Sequence, residues 1–143
     1  MKVQIDIKKL FKILAYFIVL LFGLNFVATR LYWYVSIWWS DMVMHSLGGF
    51  CLGLAFMWFL LGKNSAFDLS FKLILKIILG VLFVGILWEL FELYFINYVA
   101  ENSFNVLDTV SDLFFDLAGG TFALFYLFFL FPKKVMPAKE ITI

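Results

Sequence analysis

Four long apolar runs, separated by short stretches that carry most of the polar residues, set the pattern of this chain. The first, Ile13–Ala28, follows Lys2, Lys8, Lys9 and Lys12. It is long for the core of a signal peptide and other strong apolar runs follow it, so it predicts a membrane helix over about residues 10–29 rather than a leader cut after Val27-Ala28. Tyr32, Trp33, Tyr34, Trp38 and Trp39 crowd the next stretch. Amphipathic rings collect at the headgroup level, which predicts an interfacial segment over residues 31–39.

The second run predicts a helix over about 41–61, close to the roughly 20 residues that cross a hydrocarbon core. Gly49 and Gly53 within it form a small-xxx-small pair suited to close helix approach. Gly62-Lys63-Asn64-Ser65 and Asp68 mark a turn. A third helix is predicted over about 71–98, longer than a span requires, and a fourth over about 108–131, stopped by Pro132-Lys133-Lys134.

Composition confirms the class. Of 143 residues, 65% are hydrophobic and 22% aromatic, against about 45–50% apolar in ordinary soluble domains. The expectation is a single all-α transmembrane domain over residues 1–143, a polytopic membrane protein of four transmembrane helices. Cys51 has no partner for an intrachain disulfide and reads as core filling. The net charge of +1 is uninformative, but its placement is not. Lys2, Lys8, Lys9 and Lys12 lie at the amino end, Lys63, Lys72 and Lys76 around the second connection, and Lys133, Lys134 and Lys139 at the carboxyl end. Arg30 alone lies near the other connections. By the positive-inside rule both termini are cytoplasmic, which an even number of spans also requires. No basic, aromatic-interleaved face suggests nucleic acid.

That topology brings the ionisable residues together. Asp41 and His45 open the second helix, Glu89 and Glu92 close the third, and Asp108, Asp112 and Asp116 open the fourth, all in the outer half. Spacings of i, i+3, i+4 and i+8 keep each set on one helix face. A carboxylate at the membrane centre costs about 2.5–3.5 kcal/mol even on lenient scales. Asp116 lies roughly 12 Å along its helix from Asp108 at 1.5 Å per residue. Facing lipid is therefore disfavoured, and the negative excess calls for protonation, water or a cation. Mixed carboxylate and imidazole donors suit a divalent ion, Mg²⁺, Mn²⁺ or Zn²⁺. Simpler roles stand beside these: Asp41 and Asp108 as helix N-caps, and His45 as a hydrogen-bonded core residue. Ser46 and Ser111 neighbour the acids, but a serine in a helix more often bonds its own backbone.

No phosphate loop, CxxC pair, His-rich zinc motif or GxSxG elbow occurs in the sequence. Asp41-x-x-x-His45-x-x-Gly48-Gly49-Phe50, Trp88-Glu89-x-x-Glu92 and Asp108-Thr109-x-x-Asp112-x-x-x-Asp116-x-x-Gly119-Gly120 resemble the YjdF-like inner-membrane proteins and, more distantly, the VanZ-like family. The likeness spans about Asp41 to Gly120. VanZ-like proteins usually carry Gln in the glutamate pair and Asn in place of Asp116, and these departures favour the YjdF-like side. The resemblance implies a small multi-pass protein of a bacterial-type inner membrane with a shared polar site.

The leading expectation is an extracytoplasmic-facing, cation-binding acidic/His site acting on a lipid or lipid-linked headgroup. As an enzyme it would be a metal-dependent hydrolase or transferase. Glu89, Glu92, Asp112, Asp116 and Asp108 would then hold the metal, while His45, steadied by Asp41, moves the proton. The alternatives are a proton or cation carrier and a non-catalytic assembly or stability factor.

Overall fold

The structure, a computed structural model, describes residues 2–4, 6–62, 66–68, 70–95 and 105–130. Its elements in chain order are β1 (Lys2–Gln4), α1 (Ile7–Arg30), α2 (Trp33–Ser36), α3 (Ser40–Leu61), β2 (Ala66–Asp68), α4 (Phe71–Phe95) and α5 (Val106–Leu130). Among the described residues, four helices, α1, α3, α4 and α5, are long and apolar enough to cross a membrane. The four expected spans are thus present and the short α2 lies inside the expected interfacial segment. The expected end of the third helix at 96–98, residues 101–104 of the third connection, and the Pro132-Lys133-Lys134 stop lie outside the described residues.

Helix starts shift by a few residues for local reasons. Asp6 caps α1, its side chain accepting from the Lys8 and Lys9 N–H groups at 2.9 and 3.2 Å, so the helix begins at Ile7 rather than near residue 10. Asp41 and Asp108 are not caps. Trp39 stands at the cap of α3 without a side-chain bond, leaving Asp41 inside the first turn. Asn105 takes the capping role at α5 by accepting from Leu107 N–H at 3.2 Å. Both aspartates are thereby released from the simplest structural explanation of their presence.

Among the described residues, the one element outside the helical expectation is a three-residue antiparallel pair, β1 with β2, whose register pairs position 2 with position 68. It holds the amino end beside the second connection, so these two segments share one side of the bundle. We call that side the lysine end, after Lys8, Lys9, Lys12, Lys72 and Lys76, and the opposite side the site end.

Packing follows one stripe per helix. On α4 the buried residues are Ile77, Val81, Gly85 and Glu89, four apart throughout. On α3 the stripe runs His45, Gly49, Gly53 and Met57, and on α5 it runs Asp112, Asp116, Gly120, Ala123 and Leu127. At the lysine end these stripes are apolar and meet in a core of Leu10, Leu14, Leu54, Met57, Ile77, Leu124 and Leu127. The same stripes turn polar at the site end. α3 and α5 form the central pair, with α4 against both and α1 against α3.

The crossing of α3 and α5 is very close. A Cβ placed on Gly49 would strike the Asp116 carbonyl, and one on Gly119 would strike the Ser46 carbonyl. The small-xxx-small expectation for Gly49 and Gly53 is met, with Gly119 and Gly120 supplying the opposing surface. Van der Waals contact of this kind is what associates helices in a lipid solvent, where apolar burial offers no preference over acyl chains.

Candidate functional site

The α3–α5 crossing positions the site because the glycines lie one turn from its polar residues. Gly49 is four residues from His45, and Gly119 is three from Asp116, so backbone contact at the glycines brings His45 and Asp116 face to face. His45 Nδ1 lies 3.3 Å from Asp116 Oδ1, and both side chains are buried. Against an ionised Asp116, which only accepts, the ring donates through Nδ1–H, and in the neutral imidazole Nε2 then carries the lone pair. Nε2 points toward Asp41, whose Oδ1 is 3.9 Å away across one turn of α3.

Around this imidazole the acids gather in two groups. Asp41, His45 and Asp112 each offer one donor atom within 4.8 Å of the others, and so do His45, Glu89 and Glu92. His45 belongs to both. The acids expected from α3, α4 and α5 therefore meet at one place, with the histidine at its centre. Asp116 enters through its bond to Nδ1. Asp108 is exposed and lies at the margin.

Burial divides these groups. Asp112 is 4% and Asp116 5% exposed, and Glu89 9%, whereas the Asp41 side chain is 40% exposed and forms the open edge. Glu89 Oε1 has no hydrogen-bond partner and is the one such enclosed side-chain atom among the described residues. The Thr109 hydroxyl stands beside the same carboxyl group. A buried carboxylate oxygen without a donor is costly unless a proton or a cation meets it.

Three further residues shape the site without having stood out in the sequence. Gly85 makes room for Asp116: a Cβ there would sit 2.7 Å from Asp116 Oδ2. Its signal was legible, since Gly85 is four residues before Glu89 on the same face. Tyr34, held by α2, donates its hydroxyl to Asn25 Oδ1 at 2.6 Å and so ties the interfacial segment to α1. Tyr32 starts α2 in the left-handed region, φ 55°, with Ser36 Oγ donating to its carbonyl at 2.8 Å. Burial pushes the Tyr34 phenol above its usual range, and the nearby Asp41 and Glu92 carboxylates add to the effect. The hydroxyl therefore remains a donor throughout physiological pH. Nothing in an aromatic-rich stretch distinguishes Tyr34 from its neighbours, so only the fold reveals it. Tyr34→Phe removes one exposed hydrogen bond and is expected to lower stability by about 1 kcal/mol at most, read from thermal unfolding in detergent.

Fold and site define a four-span helical membrane protein with a His–carboxylate cluster at one end of the bundle. Residues 3–133, a stretch holding all four spans and every residue of the cluster, match the family described as a predicted membrane protein, DUF2238. The chain belongs to that family, which is the YjdF family of the sequence resemblance. None of the curated proteins and none of the solved structures matches it.

Proposed function

We propose that the protein binds a divalent cation at the site end and acts there on a lipid or lipid-linked headgroup, polarising a phosphoryl or carbonyl oxygen. The observation that carries this is the convergence on His45 of carboxylates from three separate helices, with donor atoms within 4.8 Å in each group. Donors on a dication at about 2.0–2.2 Å lie some 3–4 Å apart, so side-chain rotation alone closes either group on an ion. His45 then acts as a ligand through Nε2, with Asp116 orienting it as carboxylates orient metal-bound imidazoles. The more distant likeness to the VanZ-like family belongs to this proposal, as does a bacterial-type inner membrane.

A carrier would need polar groups across the whole membrane. From Asp116 and Glu89 toward the lysine end the buried stripes hold Val81, Ile77, Leu54, Met57, Ala123 and Leu124, which favours a one-sided site. Metal analysis of the purified full chain, after exposure to Mg²⁺, Mn²⁺ and Zn²⁺, is expected to find a bound ion. The double variant Glu89→Gln/Asp112→Asn, which removes a carboxylate from each group, is expected to lose it. Wild-type protein that stays folded and metal-free under those conditions would overturn the proposal.

The charge bias supports an orientation in which the site faces the extracytoplasmic side. A membrane-impermeant maleimide on intact cells is expected to label Leu107→Cys, an 81% exposed position at the site end, and to spare Ser70→Cys at the lysine end. The native Cys51 is buried and contributes little background. The opposite labelling pattern would reverse the orientation.

A further inference from the structure

Two donor groups share one imidazole, whose Nδ1 already lies against Asp116 Oδ1. A neutral imidazole with Nδ1–H turned to that carboxylate has one lone pair, on Nε2, and so serves a single ion. The glutamate group, His45 with Glu89 and Glu92, and the aspartate group, His45 with Asp41 and Asp112, are therefore not equivalent halves of a two-metal centre. One of them holds the ion and the other does something else.

Two observations separate them. Glu89 is nine-tenths buried, and its Oε1 is enclosed with no hydrogen-bond partner while its carboxylate lies in the ligand-distance group with His45 and Glu92. An enclosed, unpartnered oxygen in such a group is placed for a cation, whereas a water-bathed carboxylate needs none. On the aspartate side, Asp41 is 40% exposed and reaches solvent.

Resting on the proposed metal-binding function, we propose that the ion is held by Nε2 of His45 and the carboxylates of Glu89 and Glu92, and that Asp41 and Asp112 accept hydrogen bonds from water in its remaining positions. Three protein ligands on a six-coordinate ion leave three positions open. The division assigns α3 and α4 to metal binding and leaves the α5 carboxylate Asp112, with Asp41 at the open edge, facing the side from which a headgroup would enter. Asp112 and Asp41 are then the groups that orient water and take up its proton, and the glutamates are the anchors.

Mn²⁺ titrated into the full chain in detergent, followed by electron paramagnetic resonance, tests this directly. The expected result is one Mn²⁺ per chain, with a nitrogen coupling in the electron–nuclear double-resonance spectrum that His45→Gln removes. Glu89→Gln and Glu92→Gln are each expected to lose stoichiometric binding. Asp41→Asn and Asp112→Asn are expected to keep one Mn²⁺ per chain with affinity lowered about 10-fold, the scale of an outer-shell partner. These exchanges keep side-chain shape, and size-exclusion profiles confirm that each variant folds; with two variants on each side, one that fails to fold leaves the comparison intact. Loss of binding in the aspartate variants with retention in the glutamate variants would seat the ion in the other group and overturn the inference. Equal loss in all four would show the two groups closing on one ion together and overturn it as well. Wild-type protein that binds no Mn²⁺, Mg²⁺ or Zn²⁺ fails the proposed function itself, a separate outcome.

Discussion

Gly119→Ala is expected to prevent the bundle from assembling. The added Cβ meets the Ser46 carbonyl and lies 2.8 Å from the Phe50 amide nitrogen. Both are backbone atoms inside α3, so no side-chain rotation relieves the clash and the helices must move apart. Overpacking against yielding neighbours costs about 1–3 kcal/mol, and a rigid backbone neighbour puts this change at or beyond about 3 kcal/mol. Gly49→Ala, aimed at the Asp116 carbonyl, is expected to behave the same way. The decisive control is Gly48→Ala. A Cβ there meets nothing within 4 Å, so its effect is expected within about 0.5 kcal/mol. Thermal unfolding in detergent, followed by size exclusion, reads all three. Equal tolerance of Ala at positions 48, 49 and 119 would contradict the close α3–α5 crossing on which the site depends.

Asp116→Asn is expected to lower divalent-cation affinity by about 10–100-fold while the protein remains folded. Asp116 is no member of either donor group; its carboxylate holds the His45 ring through Nδ1. An amide oxygen can still accept that bond, but without the charge it neither orients the imidazole as firmly nor raises the basicity of Nε2. Gly85→Ala tests the same link from a third helix. Its Cβ would lie 2.7 Å from Asp116 Oδ2 and 3.1 Å from a Leu113 methyl. The carboxyl group is therefore expected to be displaced from His45, with a loss of affinity similar to that of Asp116→Asn. Mn²⁺ titration of both variants measures this. Unchanged affinity in Asp116→Asn would remove Asp116 from the site.

Much of this protein was legible without coordinates. Span number and approximate position follow from apolar run length, because a hydrocarbon core accepts only segments whose backbone bonds are satisfied internally. The meeting of the acids also follows. Intramembrane charge avoids lipid, alternate spans reverse direction, and Asp41/His45, Glu89/Glu92 and Asp112/Asp116 then share one end. Run length and periodicity could not show β1 pairing with β2, since three-residue segments carry no periodic signal. Nor could they show that Asp6 and Asn105, rather than Asp41 and Asp108, receive the capping bonds, because that choice depends on where each helix begins.

Polarity and helical period, both local properties, are enough to specify a four-span membrane protein whose span-borne acids and histidine gather at one end. That His45 is the hub, that Asp116 holds it from behind, and that Gly85 and Tyr34 border the cluster emerge only from the packed bundle. Those relations depend on the rotation and depth at which α3 meets α5. Backbone contact at Gly49 and Gly119 sets both, a match between surfaces far apart in the chain.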